Sequence, residues 1–323
     1  MPRKVANAQQ YLDAALRKIE SRALNRKDVK WSEVREHAQS MIEHAMKPSE
    51  AYPAITYVLS QLNDHHSFMK TRDGRAVAFP SDVKRTFDDR SLQPTLRKGT
   101  GGILRSDASP IGHVVVSGVI GDKYKLSSYA QNLQKQIKLC RAHGVSGWII
   151  DLRGNQGGNM WPMLVGLGPL IGSGTLGYFV YGDIFIPWYY RQGLSGVINA
   201  RGECVNFALS NGMSDFIDQS PMAVLIDRNT VSSGEAVTIS LKCRTRTRFF
   251  GERTAGLSTC NESIKLSDGA QLFLTTAAEA DRNKRVYSSG IEPDVTIEQG
   301  EVPCGAPNDP VIAAALQWID SAR

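Results

Sequence analysis

From residue 113 onwards, the sequence alternates between short apolar runs and longer segments with helical periodicity. The runs at 148–152 and 222–227 have the length and composition of buried strands. The segments 127–143 and 233–242 have the apolar spacing of helices. Alternation of this kind is typical of α/β domains, in which helices cover a largely parallel sheet. The sequence therefore predicts an α/β core.

The same signals predict the remaining elements of this core. They are strands at 113–120 and 176–187, a helix at 161–171, a hairpin with its turn at 267–269, and a last helix that begins with Pro310.

Residues 1–62 carry helical periodicity instead, so we expect a helical N-terminal cap there. Its third helix should be capped by Ser49 and end near Leu62. Residues 63–323 then form the α/β core. Within it, 68–112 is rich in Gly, Pro, Arg and Asp and should form a small region of short strands and loops.

Composition excludes several classes of protein. The 323 residues are 41% hydrophobic, enough for a sizeable core, and a net charge of +6 without a basic helix does not indicate a nucleic-acid partner. Five cysteines without C-x-x-C spacing give no metal site. No run approaches the ~20 apolar residues of a membrane span, and no apolar signal core follows the N-terminus. We expect a soluble, cytoplasmic protein; its oligomeric state stays open.

The segment Thr-Val-Ser-Ser-Gly-Glu at 230–235 lies between a predicted strand and a predicted helix. A serine at a helix start is well placed to act as a nucleophile, because the free N–H groups of the first turn can hold an oxyanion. Alternatively, Ser232 or Ser233 is only an N-cap, with Glu235 as part of a capping box. This segment alone does not decide between the two interpretations.

Two further segments supply the other parts of a serine hydrolase. Asp151-Leu-Arg-Gly-Asn-Gln-Gly-Gly158 follows a strand and is a glycine-rich turn, and Asp64-His-His-Ser67 ends a helical region. Together the three segments offer a nucleophile, a base and oxyanion donors. The turn lacks the Lys-Ser/Thr ending of a phosphate-binding loop, and its Asp151 and Arg153 are expected to brace it by ion pairing.

These segments, with Gly-Glu-Arg-Thr-Ala-Gly at 251–256 and Gly-Ile-Glu-Pro-Asp-Val at 290–295, resemble the C-terminal processing (tail-specific) peptidases in sequence and order. That family includes the tricorn protease core, and the chain is most similar to its nisin resistance branch. The resemblance implies a serine peptidase with a crotonase/ClpP-like core and no cofactor. Tail-specific peptidases usually carry a PDZ domain in this region, but the nisin resistance branch lacks it. Residues 68–112 are also too short and too polar to hold one, so we expect no PDZ domain. The branch carries an N-terminal membrane anchor that this sequence does not show, through a natural difference or trimming.

The resemblance also implies roles for individual residues. Ser232 matches the nucleophile, three residues before Glu235, and the N–H groups of Gly158 and Ser233 match the oxyanion hole. Leu257 stands where many members have a catalytic lysine, which favours His66 as the base, as in tricorn-type members.

A third group should orient His66, but no acid stands at 286–288, where tricorn-type members have one. Glu235, Asp64 or Ser67 are possible orienting groups, and a simple Ser–His dyad is the alternative. With an ordinary imidazole pKa near ~6.5, activity should rise through that pH.

The predicted function is hydrolysis of peptide bonds in a peptide or unfolded polypeptide, near its C-terminal end, through an acyl-enzyme. A lantibiotic-like peptide is a candidate substrate. Two alternatives stay open: a non-catalytic protein that binds peptides or hydrophobic ligands on the same fold, and an esterase or amidase for small acyl compounds.

Overall fold

The computed structural model describes residues 7–77, 101–209 and 218–322. The chain divides into two compact units: Met1–Asp88 with Thr259–Ala278, and Asp89–Ser258 with Glu279–Arg323. We call them the first and the second unit.

Seven α-helices are found among the described residues: α1 Ala8–Arg22, α2 Trp31–Ser40, α3 Tyr52–Ser60, α4 Lys123–Ala142, α5 Met160–Ile171, α6 Ser233–Lys242 and α7 Pro310–Ser321.

Fourteen strands are found in the same part of the chain: β1 Phe68–Lys70, β2 Gly101–Arg105, β3 Pro110–Val115, β4 Trp148–Asp151, β5 Gly174–Tyr181, β6 Ile184–Arg191, β7 Leu194–Asn199, β8 Gly202–Ala208, β9 Met222–Ile226, β10 Thr247–Gly251, β11 Thr259–Lys265, β12 Gln271–Ala280, β13 Val286–Tyr287 and β14 Val295–Thr296.

The first unit packs three helices against a hairpin. α1 begins at the N-cap Asn7, whose side chain accepts from the Gln10 N–H, and its apolar stripe is buried. That stripe shares one core with α2, α3 and the inward-facing residues of β11 and β12, such as Ile264 and Leu272. β1 pairs antiparallel with β12. The helices of the cap are therefore stabilised by a hairpin that lies about 200 residues later in the sequence.

The second unit contains a six-stranded sheet in the order β14-β10-β9-β4-β3-β2. All its pairings are parallel except that of β2 with β3. The central strands β4 and β9 are buried along their whole length, as expected for a sheet covered on both faces. α7 packs on one face through residues such as Val311 and Ile319. The prediction of an α/β core with a largely parallel sheet is confirmed.

The second unit also contains an antiparallel meander of β5, β6, β7 and β8. The sequence predicted one strand at 176–187, but the structure has two, joined by a tight turn at Gly182 with φ 60°. A single-strand prediction is wrong here, because the aromatic and small residues continue past the turn. β3 is also shorter than predicted and ends at Val115.

The N-terminal helices are found, and the third differs slightly from its prediction. Ser49 lies within a 3-10 turn, Pro48–Ala51, and α3 begins after it at Tyr52. The first unit also takes in the hairpin Thr259–Ala278, which the sequence division at residue 62 had assigned to the core. Of the predicted loop region 68–112, residues 78–100 lie outside the described residues. No helix in the described ranges has the length and hydropathy needed to cross a membrane.

Candidate active site

Ser232 occupies a strained backbone position between β9 and α6. Its dihedral angles are φ 54° and ψ −117°, a combination that costs a non-glycine residue of the order of 1–3 kcal/mol. Strain of this kind persists only where surrounding contacts enforce it, and it clusters at functional sites. Ser232 is the N-cap of α6 and has the capping-box arrangement with Glu235 that the sequence offered as the alternative interpretation. In the described part of the second unit, however, its hydroxyl makes no regular side-chain cap hydrogen bond, so the capping arrangement does not occupy the oxygen fully.

The buried carboxylate of Glu235 holds this turn in place through hydrogen bonds. Its Oε2 accepts from the backbone N–H of Ser232 at 3.0 Å and of Leu257 at 2.7 Å. Its Oε1 accepts from Thr254 Oγ1 at 2.6 Å, the Gly256 N–H at 2.9 Å and Ser258 Oγ at 3.1 Å. The carboxylate is fully buried. Glu235 thus joins the serine turn to the segment after β10, which contains Leu257.

A second carboxyl, Glu279, lies near Glu235 and was missed by the sequence reasoning. Burial raises the pKa of Glu235, against the opposing effect of its hydrogen bonds. Burial and the nearby Glu235 charge raise the pKa of Glu279 well above its usual range. Burial and mutual repulsion thus both disfavour two negative charges at this place next to the serine turn.

The glycine-rich turn approaches Ser232 closely. A Cβ on Gly157 would lie 3.0 Å from Ser232 Cβ and 3.1 Å from the Ser233 nitrogen. Asn155 holds the turn: its Oδ1 accepts from the Gly157 N–H at 2.9 Å, and its backbone oxygen accepts from the Val231 N–H at 2.9 Å. Only a glycine can bring two backbones this close.

The two expected oxyanion donors lie in this unit. Gly158 has φ 114°, and a Cβ there would be 2.2 Å from the Val119 oxygen, so the position excludes any side chain. Ser233 Oγ donates to the Gly158 oxygen at 2.7 Å, which links the serine turn to the glycine-rich turn. In the described part of the chain, neither the Gly158 nor the Ser233 N–H donates to a protein acceptor. Both groups are thus available to hold a developing negative charge.

Asp151 and Arg153 brace the start of the turn, as predicted. Arg153 Nη2 lies 2.9 Å from Asp151 Oδ2 and 2.9 Å from Asp309 Oδ2, and all three side chains are buried. Asp309 is also the N-cap of α7 and accepts from the Val311 N–H. The ion pairs tie the turn to α7 and leave these groups no role in contacting substrate.

His66 belongs to the first unit and follows another strained turn, in which Asn63 and His65 have positive φ angles of 49° and 55°. Asp64 holds this turn, since its Oδ1 accepts from the N–H groups of His66 at 3.0 Å and Ser67 at 2.8 Å. Asp64 Oδ2 accepts from Ser67 Oγ at 2.6 Å. Asp64 and Ser67 therefore fix the His66 backbone through these contacts.

The β11–β12 hairpin fixes the position of His66. Thr259 Oγ1 lies 2.7 Å from His66 Nδ1, and Asn261 Nδ2 donates to the His66 oxygen at 3.0 Å. Thr275 donates to Asn261 Oδ1 at 2.9 Å, and its backbone N–H donates to Ser67 Oγ at 2.9 Å. No sequence signal marked Thr259, which lies 193 residues after His66.

The imidazole is partly buried, and this burial lowers the pKa of His66 to about 4, against the opposing attraction of the Asp64 carboxylate. The ring is therefore neutral at neutral pH. The ordinary pKa near ~6.5 that the sequence suggested does not apply to the folded protein.

The structure thus brings Ser232, Ser233, Gly158 and Glu235 together in the second unit, and His66, Asp64 and Ser67 together in the first. Among the described residues, no group of three or more His, Cys, Asp or Glu side chains is arranged to hold a metal ion.

Comparison with known proteins gives consistent matches. The sequence profile of peptidase family S41 matches residues 111–297. The chain is 26% identical over 315 residues to the nisin-resistance protein of Lactococcus lactis subsp. lactis, a match that covers 97% of this chain and 87% of that protein. It is 27% identical over 191 residues to a carboxyl-terminal-processing protease of Synechocystis, covering 58% of this chain but only 38% of that protease.

A solved structure of a lipoprotein from Streptococcus agalactiae is similar along the whole chain. It is 22% identical, covers 100% of this chain and 99% of that one, and has a TM-score of 0.72. These matches confirm the predicted fold of the peptidase core.

Proposed function

Because the chain belongs to peptidase family S41 and is a serine-type peptidase that acts on polypeptides, we propose that Ser232 is its nucleophile and His66 its general base. The N–H groups of Gly158 and Ser233 then form the oxyanion hole. The observation that carries the proposal is the strained backbone of Ser232, which Glu235 holds in place. The N–H groups of Gly158 and Ser233 lie in the adjoining turns and have no protein acceptor in the described residues.

The choice of Ser232 over Ser233 is supported by their contacts. The Ser233 hydroxyl donates to the Gly158 oxygen at 2.7 Å and so has a structural partner. The Ser232 backbone is held by Glu235, while its hydroxyl makes no regular side-chain cap hydrogen bond in the described part of its unit. A nucleophile needs a fixed backbone and an available oxygen, and Ser232 fulfils both conditions.

The role of His66 is supported by its contact with Thr259. If Nδ1–H donates to Thr259 Oγ1, Nε2 carries the lone pair that a general base needs. We propose Thr259 as the group that orients the ring, in place of the expected Glu235, Asp64 or Ser67. Thr259 directly follows Ser258, whose hydroxyl donates to Glu235. Of these two consecutive residues, Thr259 contacts the proposed base, and Ser258 contacts the carboxylate that holds the Ser232 backbone.

The proposed reaction proceeds through an acyl-enzyme. Ser232 Oγ attacks the peptide carbonyl carbon while His66 Nε2 takes its proton, and the carbonyl electron pair moves to the oxygen held by the two N–H groups. Collapse expels the amine, which takes the proton from His66. Water then loses a proton to His66 and attacks the ester, and Ser232 regains its proton as the acid leaves.

We propose a peptide or unfolded polypeptide as substrate, cut near its C-terminal end. The processing proteases among the relatives support cleavage near a C-terminus. The similarity to a nisin-resistance protein over 97% of the chain supports a lantibiotic-like peptide as one such substrate.

Labelling with a fluorophosphonate probe tests the proposal. Wild type should be labelled, whereas Ser232→Ala and His66→Ala should not, and Ser233→Ala should keep measurable labelling because its N–H remains. Equal loss in the two serine variants would reject Ser232 as the sole nucleophile. Labelling of His66→Ala at the wild-type rate would reject the base.

A further inference from the structure

The chain segment after β3 is fastened to the glycine-rich turn. Asn155 Nδ2 donates to the Val116 oxygen at 2.9 Å, the Val119 N–H donates to the Gly157 oxygen at 3.2 Å, and the Asn159 N–H donates to the Val119 oxygen at 2.8 Å. Three hydrogen bonds over four residues hold this segment in one position relative to Gly158.

The fastened segment places Ile120 beside Gly158. A Cβ built on Gly158 would lie 2.8 Å from Ile120 Cγ1, so the isoleucine side chain directly borders that glycine. Ile120 is nevertheless 72% exposed. With Tyr124, which is 83% exposed, it is one of the two most exposed large apolar side chains in the described part of the second unit.

A single exposed apolar residue is ordinary at a protein surface. The position of Ile120 is not, because it is fixed next to a proposed oxyanion donor. We propose that Ile120 forms an apolar subsite for the substrate side chain next to the scissile bond, an inference that rests on the proposed function of Ser232 and Gly158. In this arrangement, a peptide whose carbonyl oxygen accepts from the Gly158 and Ser233 N–H groups has a residue next to the scissile bond within reach of Ile120, because the isoleucine lies against the Gly158 position.

The occupant is an apolar side chain, since Ile120 offers no hydrogen bond and gains from losing its exposure to water. The subsite favours leucine-like residues over serine-like ones. A hydrophobic contact of this size discriminates between substrates by about tenfold.

The test compares wild type, Ile120→Ser and the matched control Ile184→Ser. Ile184 begins β6 and is 61% exposed, so its replacement reproduces the loss of a surface isoleucine. A peptide that wild type cleaves is prepared with Leu or Ser at either position flanking the cut, and kcat/KM is measured. At one position the Leu-to-Ser ratio should fall about tenfold in Ile120→Ser and stay unchanged in Ile184→Ser.

Fluorophosphonate labelling separates the two levels of the inference. Normal labelling of Ile120→Ser with an unchanged Leu-to-Ser ratio at both positions overturns the subsite and leaves the catalytic assignment intact. An equal fall of the ratio in both variants also overturns it, because a general surface effect would then be responsible. Absence of labelling and of cleavage in wild type rejects the proposed function, and the subsite with it.

Discussion

Replacement of Glu235 should show how much of the serine turn depends on one buried carboxylate. In Glu235→Ala, the backbone N–H groups of Ser232, Gly256 and Leu257 lose their acceptor. An unsatisfied buried donor costs about 1–3 kcal/mol. The bond from Leu257 is buried and those from Ser232 and Gly256 are partly buried, so their joint loss lowers the free energy of unfolding by up to about 9 kcal/mol. A domain has only about 5–15 kcal/mol in total, and this variant should therefore be largely unfolded or strongly destabilised.

Glu235→Gln should be much milder, for a geometric reason. Its nitrogen can replace Oε1, where the Thr254 and Ser258 hydroxyls can rotate to accept, and only the Gly256 N–H is left without an acceptor. The amide oxygen then retains the bonds from Ser232 and Leu257. We expect a loss of about 1–3 kcal/mol, with fluorophosphonate labelling largely kept.

Urea unfolding followed by circular dichroism measures both effects. Glu292→Ala is the control, since this carboxylate is 68% exposed and forms a surface ion pair worth about 0–1 kcal/mol at most. The reasoning would be refuted if Glu235→Ala lost no more stability than Glu292→Ala, or if the Gln and Ala variants were equally destabilised.

Three further predictions concern the base and the oxyanion hole. kcat/KM should rise as pH increases through about 4, where burial places the pKa of His66, and a profile from pH 3.5 to 8 with an acid limb near ~6.5 would contradict this burial. Thr259→Val should lower kcat about fivefold with little change in KM, because a hydrogen bond worth about 1 kcal/mol is lost, whereas Thr259→Ser should keep it. Equal kcat in both variants would reject the orienting role. Gly158→Ala should lower the free energy of unfolding by about 1–3 kcal/mol more than Gly174→Ala, as measured by urea unfolding. Both glycines have positive φ, but only at Gly158 would the new Cβ lie 2.2 Å from an oxygen, so equal losses would contradict the close approach.

The pH experiment needs a folding control. The pKa of His66 is lowered in the folded state, so the unfolded chain binds the proton first as pH falls below ~6.5. Folded stability is therefore lost progressively from pH ~6.5 down to about 4, and circular dichroism at each pH separates unfolding from titration of the base.

Local pattern was enough to predict the helices α4 to α7 and the buried strands β4 and β9, but not the strands β7, β8 and β14. Four consecutive buried residues in β4, and five in β9, appear in the sequence as apolar runs, and Asp309-Pro310 marks the start of α7. The turn at Gly182 was missed because residues of similar character lie on both sides of it. Periodicity reports which face is buried and does not report where a chain of uniform character reverses.

The sequence by itself determined the α/β alternation, the glycine-rich turn after β4 and the serine at the start of α6, because each depends on neighbouring residues. Only the tertiary structure decided what holds them. Thr259 reaches His66 across 193 residues, and Glu235 gathers donors from 254 to 258. The lowered pKa of His66 and the raised pKa of Glu279 likewise arise from burial. Burial and distant hydrogen bonds depend on which segments the fold brings together, and no local spacing encodes that information.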